Sequence, residues 1–377
     1  MAKSAYVYSG TDWVPLASEV TNLTAYQTKA LAQAPYRNLI INGAMQVAQR
    51  STSTASITSD TYGAADRWRF LPSTQGTWTM SQENDAPTGS GFRKSTKVLC
   101  TTADASPAAG DYVRLDQRIE GQNLQAIKKG TASAEQLTLS FWVKSNVTGT
   151  YIVRFYDNDN TREVSASYTI SSSATWEKKT ITLSPDTTGA FDNDNDVSLI
   201  LMFMLGAGSN YTSGTLQTTW AASTLANSAV GQTNLASTTN NYWQVTGVQL
   251  EVGDTATPFE FKPFAQDLEE CQRYYEKSYA YETALGTGLA GGWVGSVSSG
   301  ASSGEMSGAT FKVFKRATPT ITLYNAVSGA SGAVYRVSDA ANVSASTNFL
   351  GAGAIGTVSF TASANGYYYH YTANAEL

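Results

Sequence analysis

Histidine is nearly missing from this sequence, with His370 the single example in 377 residues. A Ser–His or Cys–His catalytic arrangement would have to use that one imidazole, in the run Tyr367-Tyr368-Tyr369-His370-Tyr371, and no G-x-S-x-G context accompanies it. His370 is therefore expected on a strand surface. Zinc sites need ligand clusters that the chain lacks. The two cysteines, Cys100 and Cys271, are too few for a disulfide framework and read as small buried hydrophobes. Charged residues make up only 15% of the chain and the net charge is −5, with no basic stripe. Nucleic-acid binding, which sets clustered Lys and Arg against phosphates, is not expected. Lys128-Lys129 before Gly130 reads as a solvated turn. The longest apolar run, residues 199–205 in VSLILMFML, falls far short of the roughly 20 residues of a spanning helix, so no membrane insertion is expected. MAKSAYVYSG has no apolar h-region, which predicts a protein made in the cytoplasm without a signal peptide.

What the chain has in quantity is Gly, Ser, Thr, Ala and Asn, together with 21 Tyr and 8 Trp. That is the profile of an all-β protein with many turns, and the length suggests two or three domains. LTLSFWVK at 137–144 alternates cleanly, with Leu137, Leu139, Phe141 and Val143 on one face and Thr138, Ser140, Trp142 and Lys144 on the other. TYIVRFY, WEKKTITL and VSLILMFM continue the series, preceded by RWRFL, GTWTM, KVLCT and YVRLDQRI. VSLILMFM is apolar throughout and predicts a central strand covered on both faces. An eight- or nine-stranded jelly roll resembling carbohydrate-binding modules is expected over 38–262. A second, thinner β domain over 279–377 has FKVFKR, TITLYN, GAVYRV, GTVSFTA and YYYHYT as strand candidates.

Residues 239–278 join the two. Trp243, Val245, Gly247, Gln249 and Glu251 fall on one face of a strand, and Val248, Leu250 and Val252 on the other. After Pro263 the spacing of Phe264, Leu268, Cys271 and Tyr275 predicts an apolar stripe on a linker helix over 263–278. Glu269 and Glu270 precede Arg273 and Lys277 at pairing distance. In residues 1–37, Tyr6, Tyr8, Trp13 and Leu16 flank Ser9-Gly10 in a small hairpin or extended arm. The spacing Leu16, Val20, Leu23 suits a short helix ended by Pro35, and a frayed terminus fits as well.

The order W-x-V-T-G-V-Q-L-E-x-G at 243–253, A-T-P-F-E at 256–260 and E-x-C-Q-R-Y-Y at 269–275 resembles a segment of bacteriophage tail fibre and related virion appendage proteins. NLIINGAMQVAQRST at 38–52, followed by Asp66-Arg67-Trp68, resembles the opening of the same domain. The resemblance implies a virion structural protein, a homotrimer, whose residues 1–37 attach through Tyr6, Tyr8, Trp13 and Leu16 to another virion protein. It implies a distal C-terminal β domain that meets host surface glycan. Sugars present apolar CH faces that stack on aromatic rings, so Trp293, Tyr324, Tyr335, Tyr367 and Tyr369 are the expected receptor contacts. A polysaccharide depolymerase on the same scaffold and a purely architectural head or baseplate part are the alternatives. No catalytic residue, metal or cofactor is assigned. An EF-hand loop from Asp192 would need Gly and Glu where Val197 and Phe203 stand, and one from Asp157 meets Arg162 and Tyr168. The Asp/Asn clusters read as turns, with an irregular calcium site of the jelly-roll kind left open. Among carboxylates, Asp111, Asp116 and Glu120 lie close together, but Asp111 faces opposite to Asp116, and Arg114 and Arg118 are available to pair.

Overall fold

The computed structural model describes residues 6–8, 13–15, 36–288, 294–296, 304–360 and 366–377. Near the start, Tyr6–Tyr8 pairs antiparallel with Trp13–Pro15 as a small hairpin. The helical spacing from Leu16 lies outside the described residues, as does Trp293.

The next part of the chain is a jelly-roll β-sandwich. One sheet has seven strands in the order Ala221–Ala222, Arg162–Ile170, Gly149–Asp157, Val197–Ala207, Tyr112–Glu120, Arg69–Ser73, Thr61–Tyr62. The other has six, ordered Glu177–Leu183, Leu137–Ser145, Tyr242–Val252, Ser95–Thr102, Thr77–Glu83, Ser53–Ile57. The chain crosses repeatedly between the sheets, and their inner faces share one core containing Trp68, Phe70, Trp78, Phe141, Tyr168, Phe203 and Trp243. Aromatic edges meet faces there, as for Phe141 and Phe203 at 5.0 Å and 70°. Cys100 and Cys271 are free and buried, as expected. Val197–Ala207 is the central strand that its composition predicts. Leu199, Leu201, Phe203 and Leu205 enter the main core. Ile200, Met202 and Met204 enter a smaller one on the outer face, where Tyr112, Tyr211 and Leu216 pack against them.

The Tyr242–Val252 strand corrects the parity expected from its sequence. Its pairing with Leu137–Ser145 shifts register between Thr246 and Gln249, where Gly247 sits at φ +62. This bulge turns the strand over, so Trp243 and Val245 before it and Val248 and Leu250 after it all enter the core. The 36–44 segment seats on the bulge. Val248 N donates to Gly43 O at 2.9 Å and Leu39 N to Leu250 O at 2.8 Å, while Asn38 Nδ2 donates to Val248 O at 3.1 Å. Glu260 accepts the Asn38 amide at 2.8 Å. The segments at 38–44, 243–253 and 256–260 are thus neighbours in space, hydrogen-bonded to one another.

The helix runs only over Phe264–Gln272, and Tyr275–Lys277 is already a strand of a third sheet. Long-range pairing with Tyr367–Asn374 overrides the local stripe that placed Tyr275 on the helix. The expected helical partners differ too: Glu270 pairs with Lys262 and Arg273 with Glu120. The third sheet is built around Tyr367–Asn374, which pairs with Tyr275–Lys277, Val294–Ser296, Thr320–Asn325 and Ala333–Arg336. Ala341–Asn348, Thr357–Phe360 and Gly304–Ser307 extend it. FKVFKR is not a strand. The buried Glu276 carboxylate accepts the Lys312 amide at 3.0 Å and the Lys315 ammonium at 2.5 Å, so the segment wraps a charge instead of joining a ladder.

Side chains from the sandwich and the third sheet interlock. Arg273 Nη2 lies 2.7 Å from Glu120 Oε2, and the Tyr274 hydroxyl donates to the same carboxylate. Arg67 pairs with Glu376 and lies 3.4 Å from the Tyr274 ring centroid. Arg50 reaches Glu376 at 3.1 Å and stacks on Tyr275 at 3.7 Å. Removing one member of such a buried pair costs about 3–5 kcal/mol, because the other charge stays uncompensated.

Candidate functional site

The expected receptor aromatics do not form a surface together. Tyr367 and Tyr369 are 0% exposed and belong to the core of the third sheet. Their strand has sheet neighbours on both edges, and the odd-numbered tyrosines point inward. His370, expected at the surface, is 1% exposed; it stacks on Tyr279 at 3.8 Å and shares a hydrogen bond with Ser278 Oγ at 3.0 Å. Tyr324 and Tyr335 are half-buried on this sheet, Tyr324 edge-on to Tyr279 at 6.0 Å and Tyr335 stacked with Tyr368 at 6.5 Å. For Tyr6, Tyr8 and Trp13 the structure gives the hairpin backbone, and Leu16 lies outside the described residues.

A better aromatic surface lies on the outer face of the six-stranded sheet. Strand alternation that sends Phe141 and Val143 into the core sends Trp142 and Lys144 outward. Lys178, Gln244 and Thr246 are their register partners. Tyr242, Lys97 and Leu99 continue the face on the next strands, and Trp176 stands just before Glu177–Leu183. Trp142, Trp176 and Tyr242 are all half-buried, so part of each ring meets solvent. Asp85 organises the polar groups between them. It pairs with Lys144 and accepts from Trp176 Nε1 at 3.2 Å and Gln244 Nε2 at 3.4 Å. Partial burial raises its carboxyl, but hydrogen bonds from Lys144 and Trp176 outweigh that and hold it below the usual range. Lys144 lies over Trp176 at 5.2 Å and Lys97 over Tyr242 at 4.7 Å. Such a face offers rings for the CH faces of sugars beside cations and a carboxylate for their hydroxyls, while the buried Gln244 amide is spent on Asp85 and Ser95. A signal for it was present in the sequence, since Trp142 sits on the polar register of LTLSFWVK.

The acidic residues are occupied. Asp111 accepts from Thr74 Oγ1 and from Ala108 N at 2.8 Å. Asp116 is fully buried, with Arg114 Nε at 2.9 Å. Burial raises its carboxyl, against the pull of Arg114, Arg69 and Arg118. Burial would also raise Glu120, yet the hydrogen bonds from Arg273 and Tyr274 bring it below the usual range. Asp116 and Glu120 share a face four residues apart, about 13 Å along a strand, beyond the roughly 5–10 Å that glycosidase carboxylates span. The Asp157 cluster surrounds a lysine. Lys129, expected in a solvated turn, is buried and places its ammonium 2.5 Å from Asp157, 3.1 Å from Asp186, and 3.0 and 2.6 Å from the carbonyls of Thr188 and Gly189. Only Lys128 is exposed. Among the described residues no group of three or more His, Cys, Asp or Glu side chains gathers to hold a metal, and no helix is long and apolar enough to cross a membrane.

No family model matches the chain, and no curated protein matches it. Several solved structures are similar over part of it. The enzymatically active domain of tailspike protein 4 from bacteriophage CBA120 is 15% identical, with a TM-score of 0.32 over 58% of this chain; the match spans only 22% of the tailspike chain. TmCBM61, solved with β-1,4-galactotriose, is 10% identical, with a TM-score of 0.29 over 57% of this chain and 99% of its own. The tripod from the baseplate of bacteriophage Tuc2009 is 14% identical, with a TM-score of 0.27 over 60% and 58%. Identities this low speak to architecture alone, and the surface described above stands on its own chemistry.

Proposed function

We propose that this chain is a glycan-binding structural component of a bacteriophage particle, a homotrimeric fibre or similar appendage that docks through residues 1–37 and retains host surface polysaccharide without cleaving it. The virion part of the reading is supported by the three-part segment at 243–275 and the opening at 38–52, which form one scaffold. The glycan part is carried by a single observation: Trp142, Trp176 and Tyr242 stand half-exposed on one sheet face around the Asp85 cluster. On this reading the sugar chain lies across the sandwich rather than at the third sheet, where Tyr367 and Tyr369 are enclosed. Tyr324 and Tyr335 remain secondary contacts.

The test is retention of the purified protein on capsular polysaccharide or lipopolysaccharide from host cells, with reducing ends assayed in parallel. Retention without new reducing ends is expected, and Trp142→Ala with Trp176→Ala should weaken it at least tenfold while the far-UV spectrum stays unchanged. Released reducing ends would establish the depolymerase alternative instead, and no retention at all would favour a purely architectural part.

A further inference from the structure

We infer that the cleft between the sandwich and the third sheet is a second binding site, for an acidic monosaccharide unit bearing a carboxylate or a phosphate. The cleft measures about 430 Å³ and is lined by Gln46, 48–52, Gln82, Arg93 and Lys94 on one side and by Lys277 and 281–284 on the other, with Phe264 at its rim. That volume lies within the roughly 300–1,000 Å³ of small-molecule sites.

Charge sets the ligand class. Lys277 is 3% exposed, and its ammonium donates to the carbonyls of Tyr281 at 2.7 Å and Thr283 at 2.8 Å. Two of three donors are thereby used, and among the described residues no carboxylate lies within ion-pair distance of it. An ammonium this buried, answered by two carbonyl dipoles and the Tyr281 ring at 5.9 Å, is costly, and an oxyanion is what would relieve it. Arg93 is exposed and Lys94 donates to the neutral Asn84 Oδ1 at 2.6 Å, and among the described residues neither has a carboxylate within ion-pair distance. Arg50 is already engaged by Glu376 and Asp66. Glu282 is the one acidic lining residue, leaving three cations against one carboxylate.

The rim sets the shape. Phe264 is 42% exposed at the start of a helix whose buried residues are Asp267, Cys271 and Gln272. Its ring stands edge-on to Tyr281 at 5.2 Å and 90°. An apolar ring at the rim of a cleft lined by three cations suits a molecule with an acid at one end and a CH face at the other. This site does not depend on the aromatic sheet face, and either can fail without the other.

Saturation-transfer NMR on the full chain, with glucuronate, glucose 1-phosphate and glucose as probes, tests it. At least one acid should receive saturation while glucose does not, and which acid it is names the charged group. Arg93→Gln and Phe264→Ala, both at solvent-facing positions, should each weaken binding of that acid at least fivefold, and Trp142→Ala should leave it unchanged. The inference is overturned if neither acid binds, if glucose binds as well as the acids, or if both cleft variants bind like the parent.

Discussion

Lys129 holds its ammonium among two carboxylates and two carbonyl oxygens, the donor set that a hard cation would use. Burial would raise Asp186, but hydrogen bonds from Arg162 and Lys129 more than offset it. Lys129→Ala should destabilise the sandwich by about 3–5 kcal/mol, the penalty for leaving a buried charge without its partner. Millimolar calcium should then restore part of the loss in the variant and leave the parent's Tm unmoved; equal shifts in both would show that the lysine does not stand in for a cation. Asp267 behaves in the opposite sense. Burial chiefly raises its carboxyl from 3.8 to about 6. A raised pKa favours folding at low pH, a contribution that is lost as pH rises through about 6. Asp267→Asn should therefore raise Tm at pH 7.5 and give no advantage near pH 4, read by thermal scans at both. Single residues were legible where the local pattern decides them. Cys100 and Cys271 sit in apolar registers, and both are buried. Lys129 and His370 were not, because the groups that enclose them come from distant parts of the chain.

At the level of strands and helices, alternation identified nearly every long strand of the sandwich, since one face of each is committed to the core. It failed where the backbone changes parity or where a buried charge intervenes. Gly247 is the first case. An added Cβ would stand 2.5 Å from the Phe92 ring, at a φ of +62 that L-residues resist. Gly247→Ala should lose about 1–2 kcal/mol from the left-handed backbone, measured by urea unfolding, while Gly351→Ala, with open space around it, should be neutral. FKVFKR and the end of the helix are the second case, since both yield to the buried Glu276 and to the strand around it. No window of ten residues contains that information. The same limit hid the candidate glycan face, whose members Trp142, Trp176 and Tyr242 come from three separate places in the chain.

For the whole molecule, the third sheet has a small core of its own and leaves Phe314 and Phe349 69% and 80% exposed beside the 349–356 loop. If the chain is the homotrimer proposed above, these two rings are where a neighbouring copy would gain most apolar area. A trimer would cover them three times over by symmetry. Native mass measurement should give three times the chain mass, and Phe349→Ser with Phe314→Ser should reduce it to one. A monomeric parent with a well-ordered third sheet would remove the fibre reading.

The strand Tyr367–Asn374 is the common partner of four others, whose paired residues lie 31 to 99 positions earlier in the chain. On the ribosome Tyr275–Lys277 and Thr320–Asn325 emerge long before this partner exists, so their half of the sheet assembles late. A nascent chain stopped short of residue 367 could still pair Ala333–Arg336, Ala341–Asn348, Thr357–Phe360 and Gly304–Ser307 with one another, but Tyr275–Lys277 and Thr320–Asn325 would keep open edges, and such a chain should precipitate.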